Sequence, residues 1–129
     1  MEQLQIKTGK ISVKILDDDG DVRGIFKFNP EDIKAARKVN DLIDEFKVKS
    51  IEFQEKVEQT IEVSDRIRLL DEIVDYFRNS IDSVWGSGSS NVLFGNASTL
   101  EMFDDFFNGI TPFYKRESAK RTAKYTKKK

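Results

Sequence analysis

The chain has 129 residues, 38% hydrophobic and 35% charged, enough for one domain with a modest core. It contains no cysteine and no histidine, which excludes disulfides, thiol catalysis and cysteine-built zinc sites and removes the usual general base. The formal net charge of −1 divides unevenly: residues 115–129 hold eight Lys or Arg against one Glu (+7), leaving 14 basic against 22 acidic residues (−8) elsewhere.

At the N-terminus, Ile11, Val13 and Ile15 alternate with Ser12 and Lys14, the pattern of a half-buried strand. Asp17, Asp18, Asp19 and Gly20 make a turn, and residues 22–28 return as a second strand with Phe26 and Phe28 on one face. Leu4 and Ile6, ahead of a turn signal at Thr8 and Gly9, offer a third strand, so residues 1–28 read as an antiparallel β-hairpin or meander. A calcium loop starting at Asp17 would need Gly at its sixth position and Glu at its twelfth. Those places hold Val22 and Phe28, so the acids belong to a solvated turn.

Asn29, Pro30, Glu31 and Asp32 form a helix start, with Asn as cap, Pro at the first helical position and acids beside the helix N-terminus. Ile33, Ala36, Val39, Ile43 and Phe46 share one face of that helix. The spacing runs on through Ser50, Phe53 and Val57, so either one long helix or two with a loose joint fits. Val48, Ile51, Ile61 and Val63 fall off the seam, and the turn of a helical hairpin over residues 29–86 is expected between Gln59 and Ser64.

Residues 64–86 carry the strongest signal. Ile67, Leu70, Val74, Phe77, Ile81 and Val84 are spaced three, four, three, four, three, one face of a helix with a near-heptad seam. Ser64 offers a cap and Gly86 a stop. Such a stripe serves as a core helix more readily than as a dedicated oligomerisation helix.

A GSGSS stretch at residues 86–90 follows, then a short apolar segment over 91–94 stopped by Gly95. Ser98 and Glu101 have capping-box spacing and open a helix with Leu100, Phe103, Phe107 and Ile110 inward. The Phe103, Phe107 and Ile110 face is expected to pack on the Leu70, Val74, Phe77 and Ile81 seam. These seven are the candidates for core or partner binding. Pro112 ends or kinks that helix, and a last one spans about 112–125. Its basic residues are Lys115, Arg116, Lys120, Arg121 and Lys124; Lys127, Lys128 and Lys129 are expected to form a disordered tip. The expected fold is therefore α+β, mainly α, in one domain over residues 1–126: a small β-unit, then about four helices, with residues 91–126 holding the C-terminal ones.

Little chemistry is offered. The GSGSS stretch lacks the Lys and preceding strand of a phosphate loop. Serines have no His to activate them. Asp104 with Asp105, and Asp71 with Glu72, point about 100° apart on a helix and cannot share a proton. No catalytic, cofactor or metal site is expected. No run approaches a membrane span of about 18 apolar residues, and the opening residues do not start a signal peptide, so a cytosolic protein is expected. An acidic body with a basic tail suggests self-association or an anionic partner. Phosphate contacts from the tail alone would give only salt-sensitive, nonspecific nucleic-acid binding, the weaker alternative.

The segments FKFNPED (26–32), DSVWG (82–86), VLFG (92–95), Phe106 with Phe107, and ITPFY (110–114) before a basic end resemble a group of tail assembly chaperones of long-tailed (siphovirus-type) bacteriophages. An acidic residue is expected in that group after the first Gly of the small-residue loop, where this chain has Ser87. The resemblance implies a non-enzymatic protein of the host-cell cytoplasm, absent from the mature virion. It would bind the tape-measure protein, promote assembly of the tail tube protein around it, and associate with itself. Such chaperones are commonly made in two lengths by a ribosomal frameshift, with which the three terminal lysines are compatible. A connector or tail-completion protein retained in the virion is the other alternative.

Overall fold

The computed structural model describes the backbone of residues 1–126 and the side chains through Lys120. β1 (Ile11–Leu16) and β2 (Val22–Phe28) pair antiparallel, with Ile11 opposite Phe28 and Val13 opposite Phe26. Phe26 and Phe28 are buried, while Ile11, Val13 and Ile15 are half-buried on β1. Asp17 holds the connecting turn: its Oδ1 accepts the N–H of Asp19 at 3.0 Å and of Asp21 at 2.9 Å, the local chemistry that makes Asp a turn residue.

Among the described residues the sheet has two strands, not three, and residues 1–10 have no regular secondary structure. Contacts before Ile11 explain this. The carbonyl of Thr8 accepts from Asn29 Nδ2 at 2.6 Å. Gly9, at φ +99°, lies so close to the Glu31 side chain that a Cβ there would collide with its carboxylate. Both contacts draw the chain along the β2–α1 junction instead of back over β1.

α1 (Ile33–Gln59) starts later than expected. Asn29 is not its cap: Asn29 Oδ1 accepts the N–H of Glu31 in a turn around the buried Pro30. The cap is Asp32, whose side chain accepts the N–H of Ala35 at 3.1 Å. The helix then runs 27 residues without a joint and buries Val39, Leu42, Phe46 and Phe53. Val48 and Ile51 remain exposed on the opposite side without breaking it. The chain reverses at residues 60–62, where Thr60 Oγ1 donates to the Lys56 carbonyl at 2.7 Å and the Thr60 carbonyl accepts from Arg66 Nε at 2.5 Å.

α2 (Val63–Trp85) is capped at Glu62 rather than Ser64 and stops at Gly86, whose φ of +115° suits only glycine well. Asp82 ties the next corner. Its Oδ1 accepts the N–H of Ser90 at 2.8 Å and its Oδ2 the Ser90 hydroxyl at 3.2 Å. This positions α3 (Ser89–Phe94), a short helix where the sequence suggested only an apolar segment. Arg78 Nη2 donates to the carbonyls of Gly95 (2.8 Å) and Ala97 (2.6 Å), fixing the turn after it.

α4 (Glu101–Thr126) is one helix, not two. Its first turn uses Thr99, not Ser98: the Thr99 hydroxyl accepts the N–H of Met102 at 3.2 Å. Pro112 lies inside the helix, and the Thr111 hydroxyl donates to the Phe107 carbonyl at 2.6 Å. Packing on both sides of the proline outweighs the one hydrogen bond it removes. Phe107 lies 5.2 Å from Phe46, and Phe113 lies 5.5 Å from Phe28. The helix continues to Thr126, and the expected disordered tip, 127–129, lies outside the described residues.

Among the described residues the architecture is α+β, mainly α, a β-hairpin followed by four helices. Phe46 of α1 anchors the core, with ring centroids 4.9 Å from Phe77 of α2 and 6.0 Å from Phe103 of α4. Phe26, Phe28, Leu93, Phe94 and Ile110 belong to the same cluster.

Candidate interaction surface

α2 is 23 residues long, about 35 Å at 1.5 Å per residue. The apolar stretch of α4 that faces the core, Phe103 to Tyr114, spans only about 18 Å by the same rise. One helix therefore cannot cover the other. Along the α2 seam Val74, Phe77 and Ile81 are 3%, 0% and 0% exposed and Val84 beyond them is half-buried, whereas Val63, Ile67 and Leu70 are 68%, 56% and 39% exposed. The six from Val63 to Ile81 lie on one helical face at intervals of four, three, four, three and four. The apolar seam thus continues past its cover.

The sequence candidates divide accordingly. Val74, Phe77, Ile81, Phe103, Phe107 and Ile110 are enclosed by the chain itself, and Phe77 meets Phe103 at 5.7 Å. Leu70, expected on the buried seam, is exposed, as is Ile67. Val63, off the α1 seam, continues the α2 stripe. The signal for it was present: counting four back from Ile67 reaches it. On α1 the spacing points to Ile43, whereas its neighbour Leu42 is the buried one and Ile43 packs half-buried beside it.

Beside the uncovered seam, α1 and α2 flank a shallow groove of about 190 Å³ lined by Lys49, Phe53, Lys56, Leu69, Ile73 and Tyr76. The Tyr76 hydroxyl donates to the Glu45 carboxylate, and Lys49 Nζ sits 4.9 Å above its ring. The bond to Glu45 raises the Tyr76 pKa above its ordinary value, with burial acting the same way. A larger cleft of about 490 Å³ lies between the β-hairpin and the start of α4, with Lys14, Arg23, Glu101 and Asp105 among the residues lining it. In the hairpin turn, Asp17, Asp19 and Asp21 each bring a carboxylate oxygen within 4.8 Å of the others. Asp17 already engages two backbone N–H groups there.

Of the basic tail, Lys115, Arg116 and Lys120 are exposed. Arg116 stacks over Phe113 at 4.7 Å and Lys120 pairs with Glu117 at 3.3 Å. Arg121 and Lys124 lie within the α4 backbone, and their side chains are outside the described ones. Lys127, Lys128 and Lys129 lie outside the described residues. Among the described residues, no helix is long and apolar enough to cross a membrane.

Fold and surface together define a mainly helical α+β protein whose most distinctive exposed feature is an apolar helical stripe. The chain belongs to a family of unknown function, DUF6673, whose model matches residues 24–129 and so takes in all four helices. No curated protein and no solved structure matches it.

Proposed function

We propose that the protein is a tail assembly chaperone of a long-tailed bacteriophage. It is a non-enzymatic binder that keeps the tape-measure protein soluble in the host-cell cytoplasm while tail tube subunits assemble, and it leaves before the virion is complete. The observation that carries this reading is the uncovered seam of Val63, Ile67 and Leu70. A long helical client can lay its apolar face along such a stripe as one further helix of the bundle. The charged residues around it, Asp65, Arg68 and Asp71 among them, keep the unoccupied surface in water.

Co-expression with the tape-measure protein of the same phage tests the reading. The wild-type chain should hold the client in the soluble fraction, and the double variant Ile67→Asp with Leu70→Asp should lose it while keeping its own circular dichroism. A client equally soluble with the variant would remove α2 as the binding surface. Detection of the chain in purified virions by mass spectrometry would make it a retained connector instead.

A further inference from the structure

Residues 4–7 alternate apolar and polar side chains, Leu4, Gln5, Ile6 and Lys7, the period of a strand with one face to bury. Among the described residues nothing buries that face: Leu4 is 86% and Ile6 72% exposed. The adjoining β1 has the complementary need. Among the described residues no strand pairs with its outer edge, so a row of backbone N–H and C=O groups is open there. Its core-facing residues, Ile11, Val13 and Ile15, are only half-buried, and a sheet of two strands is marginal without further cover.

The arm is kept from meeting that edge in its own chain. Thr8 and Gly9 are held against Asn29 and Glu31, just past the end of β2. They continue the line of β1 backwards, and residues 1–7 lead on from there. To lie beside its own β1, the chain would have to reverse at residues 8–10, where those contacts hold it.

We propose that residues 4–7 of one copy add as a third strand to the outer edge of β1 in a second copy. Main-chain hydrogen bonds supply the attachment, and Leu4 and Ile6 join the row of Ile11, Val13 and Ile15. Passed from copy to copy, the contact builds a head-to-tail chain; exchanged reciprocally, it closes a dimer. It involves a different end of the molecule from the α2 seam and does not depend on what that seam binds.

Because the protein has no cysteine, single-cysteine chains give a clean test. With Leu4 and Ile6 on the core-facing row, Gln5 falls opposite Ser12 or Lys14, whichever way the strands run. A Gln5→Cys chain mixed under mild oxidation with a Ser12→Cys or a Lys14→Cys chain should give the mixed disulfide dimer in at least one mixture. Leu4→Asp with Ile6→Asp changes only exposed side chains, so it should leave circular dichroism unchanged and shift sedimentation towards monomer. The proposal is overturned by a wild-type chain that is monomeric at all concentrations. It is equally overturned if neither mixture cross-links, if the Asp variant assembles like wild type, or if a Gln5→Cys, Ser12→Cys chain closes its disulfide within one copy at high dilution.

Discussion

Phe77 and Leu70 stand two turns apart on the same seam, yet truncation should affect them very differently. Phe77 is fully enclosed, with Phe46, Phe103 and Tyr76 around its ring at 4.9, 5.7 and 5.2 Å. Phe77→Ala is expected to cost about 3–5 kcal/mol in urea melts, the range for losing a core aromatic and leaving a cavity. Leu70→Ala should cost about 1–2 kcal/mol, well below Phe77→Ala, since 39% of its surface is already in water. A large loss at Leu70 would mean that the monomer covers this position after all. Tyr114 offers a pH test. Burial raises its pKa above the ordinary value and the Asp32 charge acts the same way, opposed by the hydrogen bond donated from Trp85 Nε1. The folded state therefore keeps a proton that the unfolded chain has lost above about pH 10. Its contribution is complete below that pH and disappears as pH rises through the native value. Tyr114→Phe should flatten the alkaline fall in stability measured by denaturant titration.

Among the elements, the α1–α2 hairpin has a covered end and an open one. Amides of residues 50–70 should exchange with deuterium faster than those of 71–85, because fewer buried apolar contacts hold them. Equal protection along both helices would show the open end to be as firmly packed as the rest. Pro112→Ala in α4 should raise stability by about 1–3 kcal/mol, because a proline in a helix interior leaves the carbonyl four residues earlier without its donor. A fall would show that the proline itself helps seat Phe113 and Tyr114 against Phe28. The helical seams, the reversal near residue 60 and the β-hairpin were all legible in the sequence, because each rests on periodicity or local turn chemistry. Caps were less so: Asn29 and Asp32, or Ser98 and Thr99, are equally good oxygens, and the choice follows from where Pro30 and Leu100 can be packed. Local propensity argues that Pro112 ends or kinks the helix, whereas contacts with α1 and β2 hold it together. The open half of the α2 seam was hidden for another reason. Spacing shows that a stripe needs burial, and only the lengths of the surrounding elements show that part of it receives none.

For the whole molecule, the proposed self-association has two candidate routes, charge and strand pairing, that salt and mutation separate. The +7 of residues 115–129 and the −8 of the remainder attract over about one Debye length, roughly 8 Å at physiological ionic strength. Association through them should weaken from low to high salt in sedimentation, and removing residues 115–129 should abolish that dependence. Strand addition through Leu4 and Ile6 should persist at high salt. Assemblies indifferent to both salt and the arm would point to the α2 seam as the contact between copies.

Trp85, the one tryptophan, stands where three elements meet. It projects from the end of α2, with Phe106 of α4 at 5.1 Å and Phe26 of β2 at 6.1 Å, and it bonds to the Tyr114 hydroxyl. Its fluorescence therefore watches the β-hairpin and α4 close over α2, and is blind to the turn at residues 60–62. If the open end of the helical hairpin melts first, ellipticity at 222 nm will begin to fall with denaturant before the emission shifts to the red. Superimposable curves would instead mark the two ends as a single cooperative unit.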